Sequence, residues 1–166
     1  MTRSTNPRSP RAKSRGASAT CLDFARHERK SGSLRLAGYA ALFDVTDGAG
    51  DTIRRGAFAR TLAGRRQQNL GPVPLLWQHH DAQRIGTVES LAEDEKGLQV
   101  IARIDNRDSR AVTLLLDKAV SGLSFGYRAR GYRRVPGGRL LEDIELIEVS
   151  LVTHPLQPLA RVHLVQ

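Results

Sequence analysis

The chain has 166 residues, 40% of them hydrophobic and 26% charged, which suits one domain with a packed core and argues against wholesale disorder. Lys and Arg number 26 against 17 Asp and Glu, and the net +9 points to an acidic partner, nucleic acid among them, without specifying a fold. A lone cysteine, Cys21, excludes an internal disulfide framework and a Cys-built zinc site, and neither a bilayer-spanning run nor a signal-peptide stretch is present, so a soluble protein of a reducing interior is expected.

In chain order, residues 1–16 (MTRSTNPRSPRAKSRG) carry five Arg or Lys, no acid and no large apolar residue after Met1. Such a segment cannot bury enough surface to offset its ordering entropy, so a disordered basic arm over 1–18 is expected, followed by one domain over 19–166. The arm holds +5 of the +9, leaving +4 for the rest. Ala19–Arg26 and Ser33–Phe43 read as strands, with Gly38 marking a bulge or a close backbone approach. Gly56–Leu62 has the spacing of a short helix, and Val73–His79 is a strand fenced by Gly71-Pro72. Arg84–Leu91 and Gly97–Ile104 pair across the acidic turn AEDEKG. Ser109–Val120 is helical, with apolar residues at 112, 115, 116 and 119 and Asp108 or Ser109 as N-cap. Leu123–Arg134 and Arg139–Val152 are strands around the turn VPGG, and Ala160–Val165 is the last strand. Seven or eight short strands and two helices at this spacing favour a mainly β sandwich or small barrel over a βαβ sheet.

Three residues on three of these strands carry chemistry. In VPLLWQHHD, alternation places Val73, Leu75, Trp77 and His79 on one face and His80 with the polar end. An imidazole at His79 can act as a base near neutral pH, or can be a core-edge histidine bonded to a carbonyl. Ser124 lies in GLSFGY between Gly122 and Gly126, which leave room for a substrate to approach the backbone. The segment fits G-x-S-x-G, yet only 42 residues follow Ser124 and they look β-rich, so the nucleophile elbow of α/β-hydrolases is excluded by context. In IELIEVSLV, alternation groups Ile144, Leu146, Glu148, Ser150 and Val152 on one face, which puts Glu148 mid-strand among apolar residues. A carboxylate there needs a specific partner, an imidazolium or an arginine.

The ordered blocks GYAALFD (38–44), RRGAF with TL (54–62), LLWQHHDAQRIG (75–86), GLQVIARI (97–104), LSFGY (123–127) and LIEVSLVTHPLQPLA (146–160) together resemble the prohead (capsid maturation) proteases of HK97-type tailed phages. That family is similar to the herpesvirus assembly proteases, β-barrel serine proteases with peripheral helices. The resemblance implies His79 as base, six residues before Ile85-Gly86, Ser124 as nucleophile and Glu148 as third member, with no cofactor or metal. HHD stands where histidine-aspartate-proline is commoner, RGAF replaces a proline-glycine version, and PLQPLA lacks an expected asparagine. The implied substrates are the scaffolding protein, or the scaffold-like domain of the major capsid protein, inside a procapsid in the host cytoplasm, and then the protease itself. A homodimer is the implied oligomer, and the arm is the only nucleic-acid contact expected. Three other readings draw on the same residues. One is a basic β-barrel nucleic-acid module using the arginines at 128, 130, 133 and 134, although only 5% of residues are aromatic. Another is a metal site from His79, His80, Asp81 and His154, disfavoured because adjacent strand histidines point apart. The last is a small esterase using Ser124.

Overall fold

A computed structural model of the chain describes residues 32–166. The basic arm, the strand expected over 19–26 and Cys21 lie outside the described residues. The described elements run β1 (Leu34–Leu42), β2 (Asp51–Ile53), α1 (Ala59–Gln67), β3 (Pro74–Trp77), β4 (His80–Glu93), β5 (Gly97–Ile104), α2 (Arg110–Leu116), β6 (Gly122–Val135), β7 (Gly138–Val152) and β8 (Val162–Val165). Ser109 caps α2 as the sequence suggests, its Oγ accepting from the Val112 N–H.

All eight strands form one sheet, ordered β2-β7-β3-β4-β5-β1-β8, with β6 on the free edge of β7. The long strand β7 organises it. β6 runs antiparallel along one edge, while β2 and β3 share the other edge, both parallel, against residues 139–141 and 149–151. The two ends of the ladder meet in a short seam. Gly122 bridges Arg161, the Leu123 N–H donates to the Ala160 carbonyl at 2.9 Å, and the Val162 N–H donates to the Ser121 carbonyl at 2.8 Å. The sheet therefore curls as a barrel does, in agreement with the mainly β expectation. Gly38 is a close approach: a Cβ there would collide with the Arg161 backbone, where the β1–β8 register shifts.

Inside the curl, Leu34, Leu36, Leu75, Leu98, Val100, Ile104, Leu123, Ile144, Val149 and Leu151 are all but inaccessible. Phe58, at the entry to α1, is fully buried between Phe43 and Phe125, with centroids 6.4 and 5.3 Å away. Burial of such a ring stabilises by about 2–3 kcal/mol.

The strand β2 escapes the sequence reading because three residues within DGAGDTI are too few for a period to register. Its anchor is Asp51, which is buried and accepts a bidentate bond from Arg139 on β7 (2.7 and 2.5 Å) and another from the Tyr127 hydroxyl on β6 (2.7 Å). The Arg139 guanidinium holds the Asp51 carboxyl below its ordinary range, outweighing the opposing effect of burial, and Tyr127 adds to the lowering. Burial first, and Asp51 second, push the Tyr127 hydroxyl up to about 12.

Candidate active site

The strand expected over 73–79 stops at Trp77. Trp77 pairs with His80, and the two residues between them have φ of +53° (Gln78) and +60° (His79). Two consecutive left-handed residues in a two-residue hairpin loop make a type I′ turn, a geometry that favours Asn-Gly. His79 therefore does not continue the face of Val73, Leu75 and Trp77. Left-handed φ costs a side-chain-bearing residue ~1–3 kcal/mol, so the turn needs support from its surroundings. It has that support. The Gln78 N–H donates to the Leu151 carbonyl at 3.1 Å, its amide Nε2 donates to Thr153 Oγ1 at 2.6 Å, and the Thr153 N–H donates back to Gln78 Oε1 at 3.2 Å. The His79 N–H donates to Ser150 Oγ at 3.1 Å.

Glu148 supplies the ring's partner. Its Oε1 lies 2.6 Å from His79 Nδ1, and its side chain is 7% exposed against 44% for the imidazole. A bulge in β7 decides where this carboxylate points. Gly126 pairs with Glu148 and Tyr127 with Leu146, so Ile147 is an extra residue with no partner on β6. One extra residue reverses the alternation, so Leu146 faces inward with Tyr127 while Glu148 faces the other side with Gly126. The shared face of Leu146 and Glu148 expected from simple alternation is thus corrected. Gly126 also has a different task from the one expected. A Cβ at 126 would lie 2.6 Å from Glu148 Oε1, so the missing side chain houses the carboxylate rather than a substrate. Gly122 likewise makes room for Val152 and Pro155.

Ser124 pairs directly with Ser150 across the β6–β7 ladder, so both hydroxyls stand on the face that carries Glu148 and His79. Among the described residues, the hydrogen bonds of His79 go to Ser150 and Glu148, leaving Nε2 free on the half-exposed side of the ring. Because Nδ1 meets a carboxylate, the proton is assigned to Nδ1 and the lone pair to Nε2. The arrangement can accept a proton at Nε2 on the sheet face that carries the Ser124 hydroxyl, and among the described residues no hydrogen bond joins Ser124 to His79. Sequence reasoning missed Ser150, which donates from Oγ to Glu148 Oε2 at 2.6 Å. Its position two residues after Glu148 on one strand was the available signal. The Gln78–Thr153 clamp had no such signal, since it depends on the turn. His80, Asp81 and His154 are exposed, and among the described residues none of their side chains hydrogen-bonds to this cluster.

The arginines that suggested a nucleic-acid module are largely committed to acids. Arg128 and Arg130 pair with Glu145, and Arg133 pairs with Glu142. Tyr132 is the one aromatic among the exposed large apolar side chains of the described residues, so no row of stacking rings lies beside them.

Comparison with known proteins bears on the family and on the fold. The prohead protease of Enterobacteria phage HK97 is 34% identical over 125 residues, covering 71% of this chain and 54% of that protein. The capsid polyprotein of Pseudomonas phage PAJU2 is 30% identical over 95 residues, covering 51% of this chain and 14% of that protein. The chain thus spans about half the length of the first relative and a small part of the second. Among solved structures, the bacteriophage T4 capsid assembly protease superposes with a TM-score of 0.58 at 11% identity, covering 73% of this chain and 82% of that one. KSHV protease in complex with a hexapeptide phosphonate inhibitor superposes at 0.54 with 12% identity, covering 81% and 65%. At such low identity these two neighbours speak for the fold alone. The sequence profile described as caudovirus prohead serine protease matches residues 22–166, and with the whole curled sheet inside that match, the chain belongs to this family.

Proposed function

We propose that the protein is a serine endopeptidase of phage capsid maturation in which Ser124, His79 and Glu148 act together. The observation that carries the reading is the 2.6 Å contact between His79 Nδ1 and the buried Glu148 carboxylate, on the sheet face that Ser124 shares. Ser124 Oγ attacks the peptide carbonyl carbon while its proton passes to His79 Nε2. The tetrahedral intermediate collapses as Nε2 returns that proton to the leaving amine, and water then hydrolyses the acyl-enzyme by the same route. Glu148 keeps the proton on Nδ1 and balances the imidazolium. Family membership, and relatives named as a prohead protease and a capsid polyprotein, support a substrate in the capsid. The reading names the scaffolding protein or the scaffold-like domain of the major capsid protein, cleaved within the procapsid in the host cytoplasm, and then the protease itself, acting as a homodimer. The basic arm of residues 1–18 assists recruitment or is trimmed by self-cleavage.

Ser124→Ala tests the nucleophile. Co-expressed capsid or scaffold protein should stay uncut, and labelling by an alkyl fluorophosphonate should fall at least about 1000-fold, with an unchanged circular dichroism spectrum. Normal processing by this variant overturns the reading.

A further inference from the structure

We propose that Ser150 is a positioning residue of this site, whose single hydroxyl fixes both ends of the His79–Glu148 contact and so sets the rate at which Ser124 is acylated. The inference rests on the serine-peptidase reading above and extends it to a cross-strand neighbour of Ser124 whose hydroxyl is bonded to His79 and Glu148 and not to the nucleophile.

Ser150 is completely buried, and its backbone is held from both sides, by Leu76 of β3 and Ser124 of β6. A serine hydroxyl offers one donor and two acceptor lone pairs. Here the donor goes to Glu148 Oε2 at 2.6 Å, and one lone pair receives the His79 N–H at 3.1 Å. The carboxylate therefore has one fixed partner on each oxygen, the imidazole on Oε1 and Ser150 on Oε2. Removing the hydroxyl leaves a nearly inaccessible carboxylate oxygen unpaired and frees the carboxylate to rotate toward another donor. The same removal frees the backbone N–H of the residue whose ring that carboxylate must orient. Both errors displace Nε2 relative to Ser124, and small misplacements of a catalytic group slow a reaction severely. The hairpin itself does not depend on Ser150 alone, because the Gln78–Thr153 clamp and the Gln78–Leu151 bond remain.

The test uses the full chain and an alkyl fluorophosphonate. In the labelling step the Ser124 Oγ–P bond forms, the P–F bond breaks, fluoride leaves and the hydroxyl proton passes to His79. For Ser150→Ala the limiting rate should fall ~10–100-fold, while the probe concentration at half-maximal rate stays within about twofold. Ser150→Thr, which restores a hydroxyl, should recover most of the rate. Ser150→Cys fills the space with a weak donor and should stay slow, and it carries the test if Ser150→Ala does not fold. The downfield proton resonance of His79 Nδ1–H should be lost or shifted in the Ala and Cys variants and kept in Thr. A wild-type limiting rate in the Ala or Cys variant overturns the inference. So does a Thr variant as slow as Ala, or slow variants with an unmoved resonance. Ser124→Ala separates the two ideas. If that control labels normally, the peptidase reading fails; if it is inert while Ser150→Ala is fast, only the positioning role fails.

Discussion

Gly126 and Glu148 occupy one volume between them: the carboxylate lies where a methyl group at 126 would stand. The carboxylate cannot give way freely, because His79 and Ser150 hold its two oxygens. Gly126→Ala should therefore push Glu148 off the imidazole and slow fluorophosphonate labelling ~10–100-fold, while overpacking lowers stability by only about 1–3 kcal/mol. A normal labelling rate in a folded Gly126→Ala protein would show that the carboxylate position is not critical. At this scale the sequence was informative about residue types and less so about their tasks. A carboxylate in mid-strand announces a partner, and that partner is His79. The glycines beside Ser124 suggest room for a substrate, and what they accommodate instead is the protein's own Glu148, Val152 and Pro155.

Strands of full length were legible because a two-residue period over eight or more residues is hard to imitate. β1, β5, β6 and β7 lie close to where the alternation puts them. Irregular features were not. Nothing in IELIEVSLV marks Ile147 as the unpaired residue, and Gln-His does not resemble the Asn-Gly of a type I′ turn. Yet the bulge and the turn are the two features that bring Glu148 and His79 together. β2 was equally hidden, and a tertiary ion pair holds it in place. The Asp51 carboxyl titrates below its ordinary value of 3.8 in the folded chain, so its pairing stabilises the fold above about pH 4, and that contribution is lost as the pH falls through the lowered value. Asp51→Asn should thus melt lower than the wild type at pH 7, and the difference should shrink as the pH is taken from 5 toward 3. A constant difference in melting temperature across that range would remove Asp51 from the acid response.

Closure of the sheet is a property of the whole molecule that no local pattern encodes. The loop after β7 returns to the far end of β1 and is pinned there by Gln157, which is buried. Gln157 Oε1 accepts the Leu42 N–H at 2.6 Å, and its Nε2 donates to the carbonyls of Leu42 (3.0 Å) and Val45 (2.9 Å). This is the glutamine of PLQPLA. Gln157→Ala leaves a buried N–H and carbonyl unpaired. It should cost about 2 kcal/mol, a fall of ~4–8 °C in Tm by calorimetry, and a change under 1 °C would refute the clamp.

The left-handed Gln78-His79 turn also bears on how the protein could be improved or degraded. The backbone alone favours glycine at position 79, where φ is +60°, whereas the buried Glu148 carboxylate needs the imidazole as its partner. The proposed chemistry requires an imidazole at that same position. Glycine at 79 would relieve the turn but leave an oxygen of Glu148 without its partner, so its two effects on stability oppose each other. A histidine in a left-handed turn is thus kept on two accounts, as the partner of a buried carboxylate and as the proposed base, and glycine can serve neither.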